Sequence, residues 1–115
     1  MDRPPVEAFD VPSLEEARAE VQHRTGEPYL EFLRRDSMSC GLYVLEPGAE
    51  DPQDPHQQDE VYLVLAGRAQ LLVAGRDLPV GPGSVLFVAR TVPHRFHHIT
   101  ERLSVLVCFA PAESA

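Results

Sequence analysis

The chain contains no lysine; its ten basic residues are all arginine. Schiff-base chemistry and a lysine general base are thereby removed from the candidates. Tryptophan is absent as well, and basic groups are outnumbered by 18 Asp and Glu, giving a net charge of −8. Binding nucleic acid requires basic clusters that neutralise phosphates, so no nucleic-acid partner is expected. An acidic chain is equally unsuited to anionic membrane surfaces. No apolar run approaches the roughly 20 residues needed to cross a bilayer. The N-terminus lacks the charged-then-apolar layout of a secretory signal, so a cytoplasmic address is expected. Cysteine is scarce: Cys40 and Cys108 both sit in apolar stretches, and two reduced core thiols are expected. The chain has no G-x-S-x-G elbow, no Gly-rich phosphate loop and no Cys-x-x-Cys pair, which removes three common routes to catalysis.

What is present at 115 residues suffices for one domain with a single core. Residues 1–12, with Pro4, Pro5 and Pro12 and no clear period, read as an extended arm. Ser13-Leu14-Glu15-Glu16 has the capping-box form, with Ser13 as N-cap. Leu14, Ala17 and Val21 then recur at helical spacing, and Gly26 with Pro28 ends the helix. Residues 1–28 are thus expected to form an arm and one short helix, and residues 29–115 a β-domain. Strands are expected over Tyr29–Arg34, Ser39–Glu46, Glu60–Leu65, Ala69–Ala74, Ser84–Val88, His94–Ile99 and Leu103–Ala110. Turns are read at Glu46-Pro47-Gly48, Ala66-Gly67-Arg68, Ala74-Gly75-Arg76-Asp77 and Gly81-Pro82-Gly83. Many short strands at regular spacing give an all-β sandwich or barrel. Val61–Ala66 is apolar on both faces, whereas a barrel wall facing water alternates. Such outer faces require a cover, and a homodimer is the expected one.

Candidate chemistry concentrates in two segments. Gly48 to Gly67 carries His56 and Glu60 either side of the polar corner Gln57-Gln58-Asp59, and Pro93-His94-Arg95-Phe96-His97-His98 follows on a later strand. Two imidazoles and a carboxylate converging from separate strands make a usual ligand set for a divalent metal with open positions. Alternation puts Glu60, Tyr62 and Val64 on one face, and His94, Phe96 and His98 on another. His94 and His98 lie about 13 Å apart along an extended strand at ~3.3 Å per residue, so His98, with Phe96, is placed in the pocket wall. Asp51 and Asp59 read as corner and solvent groups, while Arg95 and His97 fall on the outer face.

The layout resembles the cupin family. Its first motif runs Gly, five residues, His-x-His, three or four residues, Glu, six residues, Gly. Gly48, Asp54-Pro55-His56, Glu60 and Gly67 meet every spacing, although Asp54 stands where the family has its first histidine. Gly81-Pro82-Gly83-Ser84 and Pro93-His94 resemble the second motif, with His98 at the family's asparagine place. The resemblance spans roughly residues 40 to 110 and implies a double-stranded β-helix, or jelly-roll, barrel with one short N-terminal helix. It implies metal ligands His56, Glu60 and His94, with Asp54 or neighbouring Gln53 as a further ligand. A carboxylate at that position makes the set harder, favouring iron(II) or manganese over copper; nickel and zinc remain within its range. The family includes oxygenases, isomerases, decarboxylases, lyases and plain binding proteins. The expectation is therefore a metal-dependent enzyme acting on a small polar metabolite, with Glu60 as a candidate general base and Tyr62 offering a hydroxyl to substrate. The alternative is a non-catalytic module that senses a small molecule or stores an ion.

Overall fold

A computed structural model describes residues 5–51 and 55–114. One helix, α1 (Val11–Thr25), precedes six strands: β1 (Tyr29–Arg34), β2 (Ser39–Leu45), β3 (Asp59–Val73), β4 (Arg76–Val80), β5 (Val85–Val88) and β6 (His94–Ala110). The strands pair antiparallel in the order β1-β2-β6-β3-β4, with β5 also on β3. This is the expected mostly-β barrel with one N-terminal helix.

The helix starts earlier than the capping box implies. Asp10 is the N-cap, and its carboxylate accepts from the Ser13 backbone N–H at 3.0 Å. Pro12 therefore lies in the first turn, where its missing N–H costs nothing, rather than in an arm. Gly26, at φ 81, closes the other end by donating its N–H to the Gln22 carbonyl. The buried stripe is Leu14 and Arg18, with Ala17 exposed. Arg18 is 2% exposed and bonds Gln22 on the same helix, so a residue that reads as polar lies buried.

Ala66-Gly67-Arg68 is not a turn. β3 runs unbroken through it, and its pairing with β6 shifts register between Val64 and Gln70. Bulges of this kind bend a strand without ending it. Gly67 sits at φ 92, and a Cβ there would lie 2.1 Å from the Arg102 carbonyl oxygen. Opposite this corner β6 is equally continuous, joining the two segments expected as separate strands. β4 escaped the sequence reading because it is short, charged and carries Pro79. It forms one end of the sheet order, and an edge is where proline is tolerated. The two-residue connection before it, Ala74 at φ 49 and Gly75 at φ 78, has the double positive φ of a tight hairpin turn.

Inside the barrel one apolar cluster joins Tyr43, Tyr62, Val64, Leu71, Phe96, Leu103 and Val105 among others. Outside, α1 seats Leu14 on Leu42 and Val44, with Phe32 and Leu65 at the margin. The helix thus covers the β2 side of the outer face. On the β3–β5 side Val61, Val85 and Phe87 remain 40%, 68% and 63% exposed. Cys40 and Cys108 face each other across β2 and β6 with sulfurs 3.3 Å apart, both unlinked. Cys40 lies in the core, its thiol pushed up to about 12 by burial and by its neighbour, while Cys108 is half-buried. Among the described residues no helix is long and apolar enough to cross a membrane.

Candidate metal centre

His56, Glu60 and His94 converge: one ligand atom from each lies within 4.8 Å of the others. Two donors bound to one ion at about 2.1 Å stand at most ~4.2 Å apart, so the cluster is close to a coordination shell. Glu60 opens β3 and His94 opens β6. Pairing sets Glu60 beside Phe109 and Val88, and His94 beside Val73 at the far end of β3. The closing of the barrel rather than direct pairing therefore brings the two together, and the polar corner after Pro55 returns His56 to the same point. Glu60 is 2% exposed and His94 is 6% exposed. The imidazole rings of His56 and His94 have centroids 5.6 Å apart.

The hydrogen-bond pattern around His94 is decisive. Its Nδ1 lies 2.9 Å from the Val92 carbonyl oxygen. A carbonyl only accepts, so Nδ1 carries a proton, and in the neutral ring Nε2 presents its lone pair. Nε2 faces Glu60 Oε1 at 2.8 Å, yet neither atom finds an aligned hydrogen bond, and Glu60 Oε2 likewise has none among the described residues. A buried lone pair against a buried carboxylate is repulsive unless a proton or a cation lies between them. Burial works to lower the His94 pKa, but the Glu60 carboxylate and the Val92 carbonyl outweigh it and raise it. Two imidazoles and one carboxylate fit a divalent ion with open positions, and such an ion satisfies all three orphaned atoms at once.

His56 is held differently. Its Nδ1 is 3.2 Å from a Glu113 carboxylate oxygen, and its ring meets Phe109 edge-on at 4.9 Å. The Glu113 hydrogen bond raises its pKa against the opposing pull of burial. Beside it opens a cavity of about 180 Å³ lined by Tyr29, Tyr43, His56, Val107, Phe109 and Glu113, among others. The Tyr29 hydroxyl is buried there without a hydrogen-bond partner among the described residues, and burial together with the Glu113 and Glu31 carboxylates raises its pKa, keeping it a donor.

Tyr62 is fully buried, with its ring 6.0 Å from that of His94 and 5.0 Å from that of Phe96. Phe96 is also fully buried. His98 departs from the expected face: it takes φ 53, which breaks the alternation, and it is exposed while Ile99 turns inward. Asp54 and Gln53 lie outside the described residues. Asp51, read as a solvent group, is 8% exposed and ties two elements together. It accepts from the Tyr43 hydroxyl at 2.8 Å and from the Phe96 N–H at 2.9 Å. Sequence reasoning missed Tyr29, Tyr43, Phe109 and Glu113. One signal was available: Gly41 faces Tyr29, whose hydroxyl lies 2.0 Å from where a Cβ would sit, so only glycine admits that ring.

Fold and site together define a β-barrel with a buried histidine–glutamate cluster. Residues 41–109 match the cupin domain family, and the chain belongs to that family. It is 50% identical over 101 residues to an uncharacterized protein of Streptomyces coelicolor, covering 88% of this chain and 95% of the relative. Among solved structures it is similar to salicylate 1,2-dioxygenase from Pseudoaminobacter salicylatoxidans, with TM-score 0.79, 15% identity, and 92% of this chain against 36% of that one. It also resembles a DMSP lyase from Ruegeria pomeroyi, with TM-score 0.62 and 27% identity, covering 66% of this chain. The chain spans only 39% of that lyase's length. A cupin 2 conserved barrel domain protein from Salinispora arenicola aligns with TM-score 0.63 and 17% identity over 71% of this chain and 73% of its own.

Proposed function

We propose that the protein holds one divalent ion between His56, Glu60 and His94 and is a metal-dependent enzyme for a small polar metabolite bound in the adjoining cavity. The observation that carries this reading is the His94–Glu60 contact, in which a buried lone pair and a carboxylate face each other at 2.8 Å with their hydrogen-bonding capacity unmet. A bound ion would supply Lewis-acid or oxygen-activating chemistry. The chain's own residues supply the rest. Val92 fixes the His94 tautomer, Tyr62 and Phe96 floor the site, and the aromatic walls Tyr43 and Phe109 exclude water. Glu60, once displaced from the ion by substrate, is the candidate base for a substrate hydroxyl or C–H. The names of the lyase and the dioxygenase among the structural neighbours agree with an enzyme but do not choose between those reactions. Protein purified without chelators or a histidine tag should contain close to one equivalent of iron(II), manganese, nickel or zinc. Oxygen uptake with enol, diol or thiol substrates would assign an oxygenase. A redox-inert ion with no turnover across a broad panel would make the protein a binding module instead. Absence of metal uptake in either purified or reloaded protein would sink the proposal.

The same reading includes a second copy of the chain as partner. Val61, Val85 and Phe87 lie on adjacent strands, with Val61 paired to Phe87 and Leu63 to Val85. Together they form an apolar patch that α1 does not reach. Each large side chain left in water forgoes about 1.5–3 kcal/mol of burial, and a symmetric copy is the simplest cover. Light scattering should report twice the chain mass, and Phe87→Glu should halve it. A monomer at micromolar concentration would remove the dimer from the proposal.

A further inference from the structure

The C-terminal segment after β6 is pinned across the mouth of the barrel by contacts to four separate elements. The Glu113 N–H donates to Ser39 Oγ at 2.9 Å, and its carbonyl accepts from Arg34 at 2.8 Å. Ser114 bonds Gln58 in the polar corner, and the Ala112 N–H reaches the Asp36 carbonyl at 3.5 Å. These bonds use backbone groups and neighbouring residues, so they hold the segment without needing the Glu113 carboxylate. That carboxylate points instead at His56 Nδ1, 3.2 Å away, and is itself about three-quarters buried, with 26% of the side chain exposed. It also lines the cavity beside His56.

We infer that Glu113 is a positioning residue for the metal centre: it holds the proton of His56 on Nδ1 and aims Nε2 at the point shared with Glu60 and His94. The inference rests on the metal-binding reading above. Its chemistry is that of a carboxylate behind a ligating imidazole, which fixes the tautomer and the ring orientation and makes the nitrogen on the other side a stronger donor. His94 obtains the same service from the Val92 carbonyl. His56 sits on a polar corner, where its carbonyl accepts from the Thr91 N–H at 2.7 Å, and the carboxylate from the distant tail meets its ring at Nδ1. The arrangement also makes the tail and the ion mutually dependent, because a group that orders a ligand is itself ordered when the ligand binds.

Titration of metal-free protein with Mn²⁺ and with Co²⁺ tests this directly. Glu113→Ala should weaken binding of both ions by roughly 10- to 100-fold, the usual consequence of removing such a partner. Glu113→Gln, which keeps an acceptor oxygen, should recover part of the loss. Ser114→Ala, which loosens the tail without touching the carboxylate, should bind as the native chain does. Affinity in Glu113→Ala that is unchanged within twofold, or tighter, would overturn the inference, the tighter case making the tail a plug. Ring ¹⁵N spectra of His56 in the metal-free neutral state supply a readout independent of any ion. The native chain should carry its proton on Nδ1, and Glu113→Ala should shift the population toward Nε2. If the native chain takes no metal but this shift is seen, the positioning role stands and the metal-binding proposal falls. Identical spectra in the two proteins would overturn the positioning role.

Discussion

His94 meets Glu60 at 2.8 Å, and three residues further along the same strand His97 meets Asp77, also at 2.8 Å. Residue types and distance agree, yet the first pair is 1% exposed on both sides and the second 29% and 46%. The His97–Asp77 contact is an ordinary hydrogen bond at the surface, screened by water and contributing at most about 1 kcal/mol. The His94–Glu60 contact is shut off from bulk solvent and, among the described residues, has no aligned hydrogen bond to relieve it. A distance identifies a pair of groups; burial with unmet bonding capacity identifies a site. Removing one member of a buried pair exposes the difference most sharply, because the remaining charge is left uncompensated.

The largest effect expected is therefore on stability. In metal-free protein at pH 5.5, where His94 is an imidazolium against the Glu60 carboxylate, Glu60→Ala or His94→Ala alone should cost on the order of 3–5 kcal/mol, whereas replacing both by apolar residues of similar volume should be near neutral. Denaturant melts of the three variants measure this, and additive losses would show that the pair behaves like His97–Asp77. Chelation comes next. Stripping the ion from protein held at about 100 times its dissociation constant should remove roughly 2.7 kcal/mol, and re-adding Mn²⁺ or Fe²⁺ should restore it. The response should vanish in a folded His94→Ala variant. Both site histidines have raised pKa values, so protons compete with the ion at higher pH than for a free imidazole. The metal-dependent stabilisation should be full at pH 8 and decline as pH falls through those raised values. The metal-free protein should show the opposite sign. A raised folded-state pKa adds stability that is complete below the unfolded value of about 6.5 and is lost as pH rises through the folded one. Melts at pH 5.5 and 8 with and without Mn²⁺ separate the two trends. The smallest effect is at the surface, where His97→Ala should change stability by less than about 1 kcal/mol and leave metal affinity untouched.

The centre was legible because its signals are local. Spacing from Gly48 to Gly67, a polar corner and a histidine after Pro93 suffice to bring His56, Glu60 and His94 together. Where the reading failed, the deciding interaction lay elsewhere in the chain. His98 was assigned inward by alternation, and its positive φ, set by the bend of β6, is not visible in residue types. Gly67 looks like a turn residue, and only the approach of the Arg102 carbonyl from the facing strand shows it to be a bulge. Two overlapping helix starts, Asp10-Val11-Pro12 and Ser13-Leu14-Glu15-Glu16, compete in sequence. Proline's fit to a first turn favours the earlier one. Asp51 resembled every other acidic loop residue until Tyr43 and Phe96 closed over it. Glu113 has no local signal at all, since its role depends on where the tail crosses the barrel.

β6 lies between β2 and β3 in the sheet, although it follows both of them in the chain. Its partners wait with their inner edges unpaired until it arrives, so the barrel closes by insertion rather than by growth from one edge. Its pairing with β2 joins segments far apart in the chain, setting Cys40 against Cys108, 68 residues on, the kind of contact that slows folding. His94 rides on the inserted strand, so an ion bound as proposed could not gather its ligands before that strand is in place. Metal is in this sense a lock turned after the door has shut: it should slow the escape of β6 during unfolding and leave the speed of folding unchanged.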